Sequence, residues 1–232
     1  MHPTDKAARI AGALYLSLVL TAPFSLIYVP NKVIVRGNAT ATAANVLAHE
    51  TLFRFGIVAD LIASITFMFV VLALYRLLRG VNTTHASHMV ALALISVAVG
   101  FVNVLNNIAA LILFRGAEFL TVFDKPQRDA LGFLFIRLHG QGIAINEMFW
   151  GLWLLPFGIL VMRSGFLPRI LGVLLIVNCF AYVAVSLTSL LLPAYANVVG
   201  NYAIIAETGE LWIMLWLLIK GAKVQPLATA AA

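Results

Sequence analysis

The sequence predicts an all-α polytopic membrane protein. Six transmembrane helices form a single transmembrane domain over residues 1–232, with a short interfacial helix in each of the first and third connections. Three observations predict this. Of 232 residues, 62% are hydrophobic and 10% charged, against roughly 25% charged in a soluble domain. The apolar residues gather into six runs, each near the ~20 residues that carry a helix across a bilayer. Finally, Glu207 and Glu210 lie where the last span has to be, because only 211–219 remain between Glu210 and Lys220, too few to cross without them.

The first span is read at 10–29. The uncharged run from Ile10 to Asn31 exceeds the ~7–15 residues of a cleavable signal core, so the helix is read as retained, with cleavage near the Ala-rich 39–44 as the alternative. It carries little that is polar beyond Ser17 and Thr21 and is read as peripheral. Residues 38–51 look like a short helix with Val46 and Leu47 on one face, leading into the second span at 53–75. Arg79-Gly80 ends that span, with Gly80 able to take the left-handed cap position.

The third span is read at 89–114. In the connection that follows, Asp124-Lys125-Pro126 marks a helix start, and Leu131, Leu134, Phe135 and Leu138 fall on one apolar face. Arg128 and Arg137 suit a helix lying at headgroup level, a gate over a site below being the alternative. The fourth and fifth spans, 142–162 and 167–192, are joined by a tight reversal in which Gly165 caps one helix and Pro168 opens the next. The sixth is read at 201–219. Pro23 and Pro156 lie inside spans, where each frees a backbone carbonyl and kinks its helix. No internal repeat supports an inverted-repeat transporter.

Six spans put both termini on one side. That side holds Lys6, Arg9, Arg76, Arg79, Arg163, Arg169, Lys220 and Lys223 against one acid, Asp5. The other side holds seven basic residues, diluted by Glu50, Glu118, Asp124 and Asp129 in its two longer connections. Lys and Arg in short loops face the cytoplasm, so both termini are expected there, in a cell inner (plasma) membrane. The net charge of +6 does not point to nucleic acid, because the basic residues form no stripe. The lipid bilayer is the partner expected.

The polar groups within the spans are the candidate site. Counted from where each helix enters, Asp60, Glu147 and Glu207 lie roughly 8–10 Å inside the outer boundary at 1.5 Å per residue, with Glu210 one turn deeper. Asn103, Asn106 and Asn107 run through the same outer half, and Asn146 adjoins Glu147. Asn103 with Asn107, and Glu207 with Glu210, share helix faces. Arg54 is the nearest basic residue, with Glu50 one turn away as a competing partner, and Arg115, Arg137 and His139 lie near the same mouth. An ionisable group inside a membrane marks a functional site by default. Arg54, Asp60, Asn103, Asn107, Glu147, Glu207 and Glu210 are therefore the ligand-binding candidates, forming an outward-facing carboxylate pocket that binds or transports a small solute, cation or lipid headgroup. Burial disfavours the charged form of an unpaired acid, which suits proton exchange, cation binding or acid–base chemistry. The alternatives are an intramembrane enzyme acting on a lipid, a non-catalytic partner or sensor subunit, and a structural core tied by interhelical hydrogen bonds.

No motif calls for a cofactor. His2, His49, His85, His88 and His139 do not converge into a zinc site, and the single Cys179 excludes an intramolecular disulfide framework. Trp150, Trp153, Trp212 and Trp216 read as packing or lipid-facing residues, and Ser164 as a turn residue.

Four stretches carry a resemblance. They are RIAGALY at 9–15, ETLFRFGIVAD at 50–60, RSGFLPRILGVLL at 163–175 and GELWIMLWLLIKG at 209–221. In these the chain resembles a bacterial family of six-helix integral membrane proteins catalogued as a domain of unknown function. The resemblance implies fold and membrane location, brings no activity, and places Arg54, Asp60 and Glu210 inside family-like motifs.

Overall fold

A computed structural model describes residues 3–222, and every regular element among them is helical. His2 and Lys223 lie outside the described residues. The helices are α1 (Pro3–Pro23), α2 (Val29–Val33), α3 (Ala39–Ala48), α4 (Glu50–Leu78), α5 (Thr83–Arg115), α6 (Lys125–Leu152), α7 (Leu154–Arg163), α8 (Arg169–Leu191), α9 (Ala196–Glu207) and α10 (Gly209–Ile219). Six stretches are long and apolar enough to cross a membrane: Thr4–Val33, Glu50–Leu78, Thr83–Arg115, Lys125–Arg163, Arg169–Leu191 and Pro193–Ile219. Each contains most of an expected span, and five of the six run longer.

Polar side chains cap several helix starts, the one at Asp124 as expected. The Asn38 side chain accepts from the Ala41 amide and Asn82 from the His85 amide. Asp124 and Gln127 exchange side-chain bonds with each other's amides, a capping box that opens α6. Gly165 takes φ +72° after α7. Gly80 does not take a positive φ. There the chain leaves α4 through a tight turn, with the Val81 amide bonded to the Leu78 carbonyl, and no left-handed residue is required.

The interruptions follow missing donors. Between Pro23 and Pro30, neither of which can donate, the helix widens into a π turn over Phe24–Tyr28. Pro156 cannot bond the Leu152 carbonyl, so α6 stops there and Trp153 turns into α7. The third interruption, at Thr208 between α9 and α10, has no proline.

The third connection departs from expectation. Its helix is not separate: α6 runs unbroken from Lys125 to Leu152 and carries the start of the fourth span. The face it buries in the protein is not the apolar face named from the sequence. Leu134 and Leu138 are exposed, whereas Ile136 and His139 are buried and Gly132 meets the Phe114 ring. Likewise on α3, Val46 is buried and Leu47 exposed. In lipid the inside-out logic of a soluble helix weakens, because tails are as apolar as leucine and interfaces go to small and polar residues. Along α4, exposed Phe55, Ile62 and Phe69 recur every seventh residue, a stripe suited to lipid.

The described residues divide into two compact units. One takes the described residues up to Leu16, Phe67–Ile95, and those from Glu147 onward. Within it α7 packs closely on α8: a Cβ on Gly158 would stand 2.7 Å from the Gly172 carbonyl oxygen, and one on Gly172 2.6 Å from that of Gly158. At Gly12, α1 meets the backbone of α10, where a Cβ would lie 2.5 Å from the Leu218 amide nitrogen. Arg9 donates to the Leu218 carbonyl at 3.2 Å and pairs with Asp5, a cation at a helix C-terminus where the dipole favours one. The first span is therefore not peripheral: its residues up to Leu16 pack within this unit.

The other unit comprises Ser17–Thr66 and Ser96–Asn146. Its core gathers Val29, Val33, Val46, Phe53, Ile57, Val104, Leu111, Phe114 and Ile136.

Candidate functional site

Two acids of the first unit, Glu207 and Glu210, flank the break in the sixth span. That span begins at Pro193, eight residues earlier than the boundary at 201, so Glu207 stands fourteen residues into a stretch of 27. At the break the Leu211 amide bonds back to the Thr208 carbonyl at 3.0 Å. In a continuous helix that amide would serve the Glu207 carbonyl. The orphaned oxygen is taken up by α8, where Asn178 Nδ2 donates to it at 3.1 Å. A buried side-chain amide thus substitutes for one rung of the helix ladder.

Glu210 lies on the far side of the break. The Tyr15 hydroxyl, from α1, donates to Glu210 Oε1. Asn178 and Tyr182, at i and i+4 on α8, also act electrostatically on this carboxyl group. Glu207 and Glu147 are close enough to interact electrostatically. Gly151 brings α8 near, since a Cβ there would stand 2.7 Å from the Cys179 carbonyl oxygen and 3.0 Å from Tyr182 Cβ. The Trp150 and Tyr182 rings meet edge-on at 6.2 Å. None of the described ion pairs involves Glu147, Glu207 or Glu210.

The second unit holds the other candidates in a separate arrangement. Asp60 Oδ2 lies 3.4 Å from His139 Nε2, and the two side chains are only 13% and 11% exposed. Asn103 is buried and donates from Nδ2 to the His139 carbonyl at 2.9 Å, while Asn106 donates to Asn103 Oδ1 at 3.0 Å. Gly142 leaves the room that Asn103 occupies. Asn107 is half-buried one turn along the same helix face. Arg54 does not serve Asp60: it is exposed and bonds Glu50 at 2.8 Å, and Arg115 approaches the same carboxylate at 3.6 Å. Of the candidates, Glu147, Glu207 and Glu210 thus belong to one unit, and Asp60 and Asn103, with their partners His139 and Asn106, to the other.

Residues 10–221 match the family described as "Domain of unknown function (DUF4386)". The chain belongs to DUF4386. The match takes in every candidate residue of both units. A protein of Archaeoglobus fulgidus, named only as an uncharacterized protein, is 30% identical over 154 residues, covering 66% of this chain and 76% of that one. No solved structure matches.

Within this DUF4386 chain, sequence reasoning missed Tyr15, Asn178 and Tyr182. Tyr15 ends the RIAGALY stretch, and Asn178 and Tyr182 stand at the same i, i+4 spacing that singled out Asn103 and Asn107. That spacing was the available signal. Among the described residues no group of three His, Cys, Asp or Glu is arranged to hold a metal ion.

Proposed function

We propose that this DUF4386 protein is a single transmembrane domain of a cell inner membrane that binds or moves a small solute at Glu147, Glu207 and Glu210, with protonation of a carboxyl group linked to binding. The observation that carries this reading is the break at Thr208. Irregular backbone at membrane depth is tolerated where it is buried in protein or lines a cavity, and discontinuous helices are a recurrent way to build a solute site there. Here the break is flanked by two acids, and two helices, α1 and α8, supply a hydroxyl and an amide group to it. The Arg and Lys of the short loops support cytoplasmic termini.

Infrared spectroscopy of the protein in nanodiscs tests the reading. The wild type is expected to show a protonated-carboxyl stretching band that titrates with pH and weakens in Glu210→Gln or Glu207→Gln. Spectra that are the same in all three proteins would overturn it.

A further inference from the structure

The acid cluster around Thr208 is rich in acceptors and has spent its donors. The Tyr15 hydroxyl donates to Glu210, and Asn178 Nδ2 donates to the Glu207 carbonyl. Three carboxyl groups remain without a described basic partner. A second, independent feature is Asn178 itself. Its side chain is completely buried, yet Oδ1 has no hydrogen-bond partner, a situation that native interiors avoid unless something completes it. The same carboxamide's nitrogen donates to the Glu207 carbonyl at 3.1 Å, so the orphan oxygen lies beside the cluster. Aromatic surface adjoins it, with Tyr182 against Trp150 and Trp150 one helical turn from Glu147.

What would satisfy these groups is a positive charge that also carries N–H donors and an organic body. A bare metal ion would need convergent ligands, and no such group of three exists among the described residues. A quaternary ammonium could lie against the rings but has no hydrogen for Asn178 Oδ1. We propose that the site takes an organic ammonium ion bearing N–H groups, a primary or secondary amine, whose N–H groups bond Asn178 Oδ1 and a carboxylate of Glu147 or Glu207 while its carbon skeleton lies against Trp150 and Tyr182. This rests on the proposed carboxylate site and names its ligand class.

The test is the melting temperature of the full chain in nanodiscs, with ethylammonium chloride, choline chloride or sodium chloride at equal concentrations. Near-saturating ethylammonium should raise Tm by roughly 2–4 °C, choline by less than half as much, and sodium not at all. Glu207→Gln and Glu147→Gln, made separately so that one misfolded variant does not end the experiment, should each remove most of the ethylammonium shift. Glu50→Gln, on an exposed pair in the other unit, should keep it. An equal response to choline, no response to ethylammonium, or full retention of the shift in both variants would overturn the assignment. If the carboxyl infrared band titrates with pH but no amine shifts Tm, only the ammonium inference falls. If the band and the shift are both absent, the carboxylate site falls with it.

Discussion

Replacing Asn178 with alanine should cost distinctly more than the same change at Asn103. Both side chains are buried, and both donate to a backbone carbonyl on a neighbouring helix, at 3.1 and 2.9 Å. The acceptors differ. The His139 carbonyl lies inside the unbroken α6 and keeps its own helical rung. Asn103→Ala removes that extra bond and the one accepted from Asn106. With ~0.6 kcal/mol for the interhelical bond and a few tenths for the one within α5, the loss is about 1 kcal/mol. The Glu207 carbonyl has lost its rung, because the Leu211 amide bonds Thr208 instead. Asn178→Ala leaves that oxygen buried and unsatisfied, which costs about 1–3 kcal/mol in addition to the lost bond, offset in part by removal of the unpartnered Asn178 Oδ1. The truncation cavity is the same in kind for both variants and largely cancels in the comparison. The expected difference is therefore about 1–2 kcal/mol, or roughly 2–8 °C in Tm for a chain of this size. Thermal unfolding in nanodiscs, followed by tryptophan fluorescence, measures it. If Asn103→Ala proves as costly as Asn178→Ala, the break at Thr208 does not depend on the Asn178 amide, and the Glu207 carbonyl finds its donor elsewhere.

Other outcomes follow from the same contacts. Gly172→Ala, which would press a Cβ within 2.6 Å of the Gly158 carbonyl oxygen, should destabilise by about 1–3 kcal/mol. Gly140→Ala, with nothing within 4 Å, should be neutral or stabilising by up to ~1 kcal/mol, as thermal melts of the two will show. A double-mutant cycle between Asp60→Ala and His139→Ala should give a coupling of about 0.5–3 kcal/mol, and additive losses would mean that the 3.4 Å approach contributes nothing. Arg54→Ala should change stability by less than ~1 kcal/mol, because an exposed ion pair is weak and Arg115 also approaches Glu50. Tyr15→Phe should perturb the carboxyl band assigned to Glu210, whereas Tyr75→Phe should leave it unaltered.

Much of this protein was legible in its residues. Span count, helix starts at Asn38 and Asp124, the turn at Gly165 and the interruptions at Pro23 and Pro156 all follow from local rules, in which a side chain caps its own helix or a proline removes its own donor. The acids were legible too, because hydrocarbon makes each one conspicuous. Their partners were not. Pairing is decided by helices far apart in sequence, and lipid removes the hydrophobic cue that would mark an inward face: Leu134 and Leu138 look outward, and the small and polar Gly132, His139 and Gly142 do the packing. Reading Arg54 as a counter-ion failed for a related reason. The i, i+4 reach to Glu50 needs no tertiary structure, whereas His139 reaches Asp60 only after α4 and α6 have come together. The break at Thr208 is the clearest case. No proline announces it, and a carbonyl can leave its own ladder only when another helix supplies a donor, which here is Asn178 on α8. The sequence alone thus determined a six-span helical membrane protein with acids in its spans, because length and hydrophobicity are local properties. Only the tertiary structure decided which acids share partners and where a helix opens between two of them.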